Sequence, residues 1–221
     1  MMPFQGGLAA TPNAALMFSL TAAFLYAFML KQTPSWRRTA AKTLAVSLLA
    51  FLAYDQNGPA LLIAALFLSA AGDAFLAQDG EKAFLGGMSA FLLAHVGYVA
   101  LFAMAGEGVS MFAGPWRMAA ALAMTVFAAA MFFRLLPKLG HLLRAPVAVY
   151  VAAIHTMVLS ALTLDRPWVI AGALLFTASD GILAARKFLL ADASPHHARA
   201  GMAVWILYYG GQVAITLGVL R

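Results

Sequence analysis

Two stretches decide the fold of this chain: Leu66–Ala77, LFLSAAGDAFLA, and Leu174–Ala185, LLFTASDGILAA. Each is a run of apolar and small side chains interrupted by one carboxylate, Asp73 in the first and Asp180 in the second. Aligned on the acids, Gly72-Asp73-Ala74-Phe75-Leu76-Ala77 matches Ser179-Asp180-Gly181-Ile182-Leu183-Ala184. Segments this oily read as membrane helices. A carboxylate inside a bilayer costs about 3 kcal/mol or more unless it faces protein, water or a counter-charge, so each aspartate marks a candidate functional site.

The rest of the chain has the same character. Of 221 residues, 64% are hydrophobic and 10% charged, with a mean hydropathy of +0.88. Soluble domains carry roughly 25% charged residues. The expected fold is therefore all-α, a polytopic membrane helical bundle forming a single integral membrane domain over 1–221. There is no cysteine, which excludes disulfides and thiolate metal sites. The net charge of +6 would suggest nucleic acid in a soluble protein. Here the basic residues cluster between apolar runs, where membrane orientation explains them and no nucleic-acid partner is needed. No Lys or Arg precedes residue 31, so the first apolar run reads as a permanent helix and not as a cleavable signal peptide.

A spanning helix takes about 20 mostly apolar residues. Eight segments meet that pattern: Asn13–Leu30, Thr39–Tyr54, Ala60–Ala77, Lys82–Met104, Trp116–Phe133, Ala145–Leu164, Trp168–Leu189 and Gly201–Leu220. Breakers separate them at Thr33-Pro34-Ser35, Asn57-Gly58-Pro59, Asp79-Gly80, Gly114-Pro115, Pro137, Arg166-Pro167 and Ser194-Pro195. Eleven of the fourteen basic residues follow the odd-numbered spans: Lys31, Arg37, Arg38, Lys42, Lys82, Arg134, Lys138, Arg144, Arg186, Lys187 and Arg199. The other side holds Arg117, Arg166 and Arg221. The positive-inside rule then places both termini outside. Spans three and seven run the same way, each with its aspartate in the cytoplasmic half, so the halves read as parallel four-helix repeats.

Polar residues form stripes at helical spacing. Ser69, Gly72, Asp73 and Leu76 share one face; Phe84, Gly87, Phe91, His95, Tyr98 and Phe102 share another. Span seven offers Phe176, Ser179, Asp180, Leu183 and Lys187, and span eight offers Trp205, Tyr208, Tyr209 and Gln212. Span six contributes Tyr150, His155 and Met157, and Lys42 opens span two near the cytoplasmic surface. The plain readings are structural. Gly72, Gly86, Gly87 and Gly181 permit close helix approach, and Trp116 and Trp168 suit the interfacial belt. His155 lies off the Tyr150 face, while His196 and His197 read as solvated loop residues beside Pro195. For the aspartates the competing reading is an intramembrane salt bridge or a helix-joining hydrogen bond. No P-loop, HExxH or Gly-x-Ser-x-Gly motif is present.

Several of these pieces, in order, resemble the YhhN/TMEM86 family of membrane proteins. They are Gly72-Asp73-x-x-Leu76, Gly87-x-x-x-Phe91-x-x-x-His95-x-x-Tyr98, Tyr150 with Met157, Phe176-x-x-Ser179-Asp180-x-x-Leu183-Ala184 with Phe188, and Tyr208-Tyr209-x-x-Gln212. The family often has Lys-Pro or a similar turn at the start of span two, whereas here Lys42 precedes Thr43. The resemblance implies a lysoplasmalogenase: hydrolysis of the vinyl ether of a lysoplasmalogen to a fatty aldehyde and glycerophospho-ethanolamine or -choline. Such chemistry needs a protonated carboxyl and a second group that stabilises cation and orients water. Asp73 and Asp180 fit as a pair sharing one proton. His95 and Tyr98 would orient them. Tyr150, Ser179, Tyr208, Tyr209 and Gln212 would be further substrate contacts, with Lys42 on the phosphate. No metal or other cofactor is required, the partners are a lysophospholipid and the bilayer, and the expected location is a cell membrane of the bacterial inner-membrane type. Two rivals stand beside this: a related hydrolase with another lysolipid substrate, and a proton-coupled carrier or lipid-binding protein using the same acids.

The topology is open to a direct check. Alkaline phosphatase fused after Arg221 should be active in a bacterial host and green fluorescent protein at the same point dark. The opposite pattern would place the C-terminus in the cytoplasm and contradict the expected orientation.

Overall fold

A computed structural model describes residues 3–7, 10–191 and 194–221. Among these residues there are eight α-helices and no strand. They are α1 Thr11–Met29, α2 Trp36–Asp55, α3 Ala60–Leu76, α4 Glu81–Ala105, α5 Pro115–Leu135, α6 His141–Ala161, α7 Pro167–Phe188 and α8 His197–Leu220. Six of them, all but α2 and α3, are long and apolar enough to cross a membrane. The 17 residues of α3 lie at the short end of the spanning range. The helical bundle expected from composition is the observed architecture.

The breakers act by identifiable local chemistry. Ser35 caps α2, its hydroxyl accepting from the Arg38 amide. That helix closes with Asn57 in the left-handed region at φ 51°, while the Gly58 amide reaches back to the Ala53 carbonyl at 2.7 Å. Pro59 then starts α3, and Pro115 and Pro167 occupy first positions of α5 and α7, where a missing N–H costs nothing. The sixth helix begins at His141, four residues before the expected Ala145, because Gly140 serves as its N-cap and the helix continues through Pro146. The eighth begins at His197, so this histidine is not a solvated loop residue. Its Nδ1 accepts a hydrogen bond from Arg186 Nε at 3.1 Å, which leaves the ring proton on Nε2 in the neutral form.

The helices fall into two compact units, residues 1–98 with 219–221 and residues 99–218. In the first, α2 lies between α1 and α3. Ala45, Val46, Leu49, Ala50, Leu52 and Ala53 of α2 are fully enclosed, and Ser19 of α1 donates to the Ala45 carbonyl. A helix wrapped this way need not be apolar all round, which is why α2 can carry Arg37, Arg38 and Lys42. In the second unit α5, the most apolar of the six long spans, is the least buried, with Trp116, Met118, Leu122, Val126 and Phe133 exposed. The most apolar span is thus the least buried in protein, the pattern a lipid-facing helix requires.

Backbones approach closely between α7 and α8. A Cβ at Gly172 would stand 2.7 Å from the Gly211 carbonyl oxygen, and one at Gly211 would stand 2.8 Å from that of Gly172. Both obstacles are backbone atoms that no rotamer change can move. At Gly210, next in sequence, a Cβ would meet nothing within 4 Å. Gly172→Val should therefore separate the helices at a cost of about 1–3 kcal/mol or more. Gly210→Ala should be neutral or slightly stabilising. Thermal unfolding of the detergent-solubilised variants reads the contrast; equal behaviour of the two would contradict the close packing.

Candidate functional site

The first unit places its polar residues around Asp73. Asp73 stands thirteen residues into α3 from Ala60, within a helix whose neighbours at Leu62, Ala65, Leu66 and Ala70 are buried. Its carboxylate is only 1% exposed, and Lys42 Nζ lies 3.0 Å from its Oδ1. The ammonium also lies 5.8 Å from the centroid of the Tyr26 ring, and the Arg38 guanidinium carbon lies 5.9 Å from the same centroid. Tyr26 is thus a buried aromatic surface shared by two cations one helical turn apart. Sequence reasoning passed it over because a tyrosine inside an apolar run reads as core. The signal that could have found it is the pairing of an aromatic near the end of α1 with two basic residues in the first turns of α2.

Glycine brings α4 against this region. A Cβ at Gly72 would stand 2.6 Å from the Phe91 ring, and one at Gly87 would stand 2.6 Å from Leu76 and 3.3 Å from the Gly72 carbonyl oxygen. The stripe on α4 therefore packs its Phe91 directly beside the residue preceding Asp73. One turn on, His95 is fully buried and its Nδ1–H donates to the Phe91 carbonyl at 2.6 Å. That bond fixes the ring orientation and leaves Nε2 as the other polar atom. Tyr98 is fully enclosed on the same face. Ser69, one turn before Asp73, is also fully buried.

The second unit builds a comparable arrangement with different chemistry. Asp180 stands thirteen residues after Pro167 on α7 and is 9% exposed. The Tyr150 hydroxyl, from α6, donates to its Oδ2 at 2.9 Å. The preceding Ser179 is turned elsewhere: its hydroxyl donates to the Val204 carbonyl of α8 at 2.9 Å and ties the two helices together. Tyr208 and Tyr209 lie in an aromatic cluster with Trp205, and Tyr208 meets Phe176 edge-on at 5.2 Å. Both tyrosines are buried, as is Gln212. His155 is placed on a different side of α6, with its Nε2 3.3 Å from the Thr125 hydroxyl of α5. Since that hydroxyl already donates to the Ala121 carbonyl, His155 is the donor.

Each aspartate is therefore held by a side chain from the helix before it. Lys42 reaches Asp73 as a counter-ion, and Tyr150 reaches Asp180 as a neutral donor. The two carboxyl groups belong to different units. Among the described residues no group of three His, Asp or Glu side chains is placed to hold a metal ion.

The YhhN family model matches residues 37–219. The lysoplasmalogenases of Mycobacterium bovis and Mycobacterium tuberculosis are each 35% identical over 162 residues, covering 71% of this chain and 59% of their own. Lysoplasmalogenase TMEM86B of Sus scrofa is 36% identical over 195 residues, covering 84% of this chain and 76% of its own. The match thus spans somewhat under two thirds of the mycobacterial chains' length. No solved structure matches. The family model covers both aspartate helices and everything between them, and this chain belongs to the YhhN family.

Proposed function

We propose that this protein is a lysoplasmalogenase-like membrane hydrolase that cleaves the vinyl ether of a lysoplasmalogen, with Asp73 and Asp180 doing the acid–base work. The carrying observation is that two buried aspartates, at the same position in their helices, are each gripped by the preceding helix with unlike partners. The names of the relatives at 35–36% identity point to the same reaction.

The reaction consumes one water. A carboxyl group protonates the β-carbon of the vinyl ether, and the electron pair of the double bond forms the new C–H bond. The resulting oxocarbenium ion is captured by water at the α-carbon, and a carboxylate accepts the water's proton. The hemiacetal then breaks its bond to the glycerol oxygen, which takes up a proton as the fatty aldehyde forms. The two carboxyl groups thus need one proton between them at the outset.

The different partners divide the roles. Asp73, ion-paired with Lys42, is the carboxylate that stabilises the cation and takes the proton from water. Asp180 is the carboxyl that delivers the first proton. Tyr150 donates to its Oδ2 and fixes the orientation of the group. His95 and Tyr98 orient the groups around Asp73, and the buried Tyr208, Tyr209 and Gln212 belong to the wall that keeps bulk water away.

Purified protein in detergent should release long-chain aldehyde from lysoplasmenylethanolamine. Asp180→Asn and Asp73→Asn should each lower kcat by about 100-fold or more, the scale of general acid–base catalysis, while remaining folded. Aldehyde release that survives both substitutions would sink the aspartate mechanism. Fatty-acid release from acyl lysolipids without aldehyde from alkenyl ones would move the assignment to a different lysolipid. Proton-linked uptake into proteoliposomes without hydrolysis would indicate a carrier.

The ion pair has its own signature. Lys42→Met removes the ammonium 3.0 Å from the buried Asp73 carboxylate and should destabilise the fold by about 3–5 kcal/mol. Adding Asp73→Asn should recover most of that stability without recovering activity. A double variant no more stable than Lys42→Met alone would show that the pair is not energetically coupled.

A further inference from the structure

Lys42 was expected to hold the substrate phosphate, but its ammonium is already committed to Asp73 at 3.0 Å. A different cation is better placed. Arg38 lies four residues earlier on α2, on the same face and about 6 Å nearer the helix start. Its guanidinium packs over Tyr26, and it is partly shielded where Lys31 and Arg37 are exposed. Among the described residues Arg38 forms no ion pair, and its Nε is buried without a hydrogen-bond acceptor. A buried guanidinium N–H lacking an acceptor is costly in isolation and suits a tetrahedral oxyanion that accepts two parallel bonds.

The surroundings have the matching sign. No acidic residue occurs before Asp55. Lys31 before α2 and Arg37, Arg38 and Lys42 on its first two turns therefore form a basic cluster, with Asp73 compensating Lys42. Asp79 and Glu81, after α3, are exposed and form no ion pair with Arg38 among the described residues. Arg38 also lies in the first turn of α2, where the helix dipole favours an anion.

We infer that Arg38 binds the phosphodiester of the lysophospholipid, with Tyr26 holding the guanidinium in place. This rests on the reaction proposed above and extends it to the head group. One helical turn separates Arg38 from the Lys42–Asp73 pair, and three glycerol carbons separate the phosphate from the vinyl ether. With the phosphate on Arg38, the ether end of the glycerol extends toward Asp73. Recognition is of the phosphate and not of the amine, so ethanolamine and choline substrates are held alike.

Arg38→Gln and Arg37→Gln remove the same charge from adjacent positions, and only the first removes the shielded guanidinium. In detergent, Arg38→Gln should raise KM for lysoplasmenylethanolamine by about tenfold or more with kcat within about twofold, as loss of a charge-assisted contact requires. It should leave 1-O-alkenylglycerol, which has no phosphate, hydrolysed as by the parent protein. Arg37→Gln should change neither. Equal KM effects from the two variants would reduce Arg38 to membrane orientation, and equal loss on both substrates would reduce it to a packing role; either overturns the phosphate site.

A second arm separates this inference from the reaction itself. Lysophosphatidylethanolamine should raise the Tm of the parent and not of Arg38→Gln. An Arg38-dependent shift with no aldehyde release would keep the phosphate site and remove the reaction. Aldehyde release with a normal KM in Arg38→Gln would do the reverse. If phosphatidylglycerol reproduces the shift and lysophosphatidylethanolamine does not, Arg38 anchors bulk anionic lipid and the inference falls.

Discussion

A carboxylate among apolar side chains must be given a partner, and that constraint organises both units of this protein. Lys42 supplies one for Asp73 and Tyr150 supplies one for Asp180, in each case from the helix that precedes the aspartate. The geometry that allows this is set by ordinary packing. The second helix is sandwiched between the first and third, which brings Lys42 to Asp73 while Arg37, at the start of the same helix, stays exposed. Glycine then lets the fourth helix come close beside the same residue, with Phe91 against Gly72 and Leu76 against Gly87.

The two aspartates occupy equivalent places in their helices and yet differ chemically. Asp73 faces the Lys42 ammonium, whereas Asp180 accepts a hydrogen bond from the Tyr150 phenol. Two acids with unlike partners can take unlike roles in one proton-transfer sequence, whereas two identical environments would compete for the same proton. The belt of buried aromatics on the eighth helix, Trp205, Tyr208 and Tyr209, gives the second unit a rigid wall against which Phe176 packs. The Ser179 hydroxyl, which donates to the Val204 carbonyl, joins the Asp180 helix to the eighth as well.

Much of this was legible in one dimension because the signals are local. Apolar length, prolines at helix starts and Asn57-Gly58 at a helix end depend on a few adjacent residues, and all eight segments were found within a few residues of their helices. The aspartates stood out for the same reason, as charges inside runs that otherwise had none. His197 was misread because its partner, Arg186, lies on another helix, and a polar loop composition hid the start of α8. Tyr26 taken alone reads as core, since what makes it notable is the pair of cations near its ring, which come from the next helix.

By itself, then, the sequence determined that the chain is a bundle of apolar helices, the body of each helix though not the starts of α6 and α8, and which two acids stand out within them. Those properties follow from composition and periodicity, which act over one or two turns. Only the tertiary structure decided that Lys42 is spent on Asp73, that Tyr150 serves Asp180, and that Arg38 retains a buried N–H without an acceptor among the described residues. Partners of this kind come from different helices, brought together by glycine contacts and ring packing that no spacing along a single helix encodes.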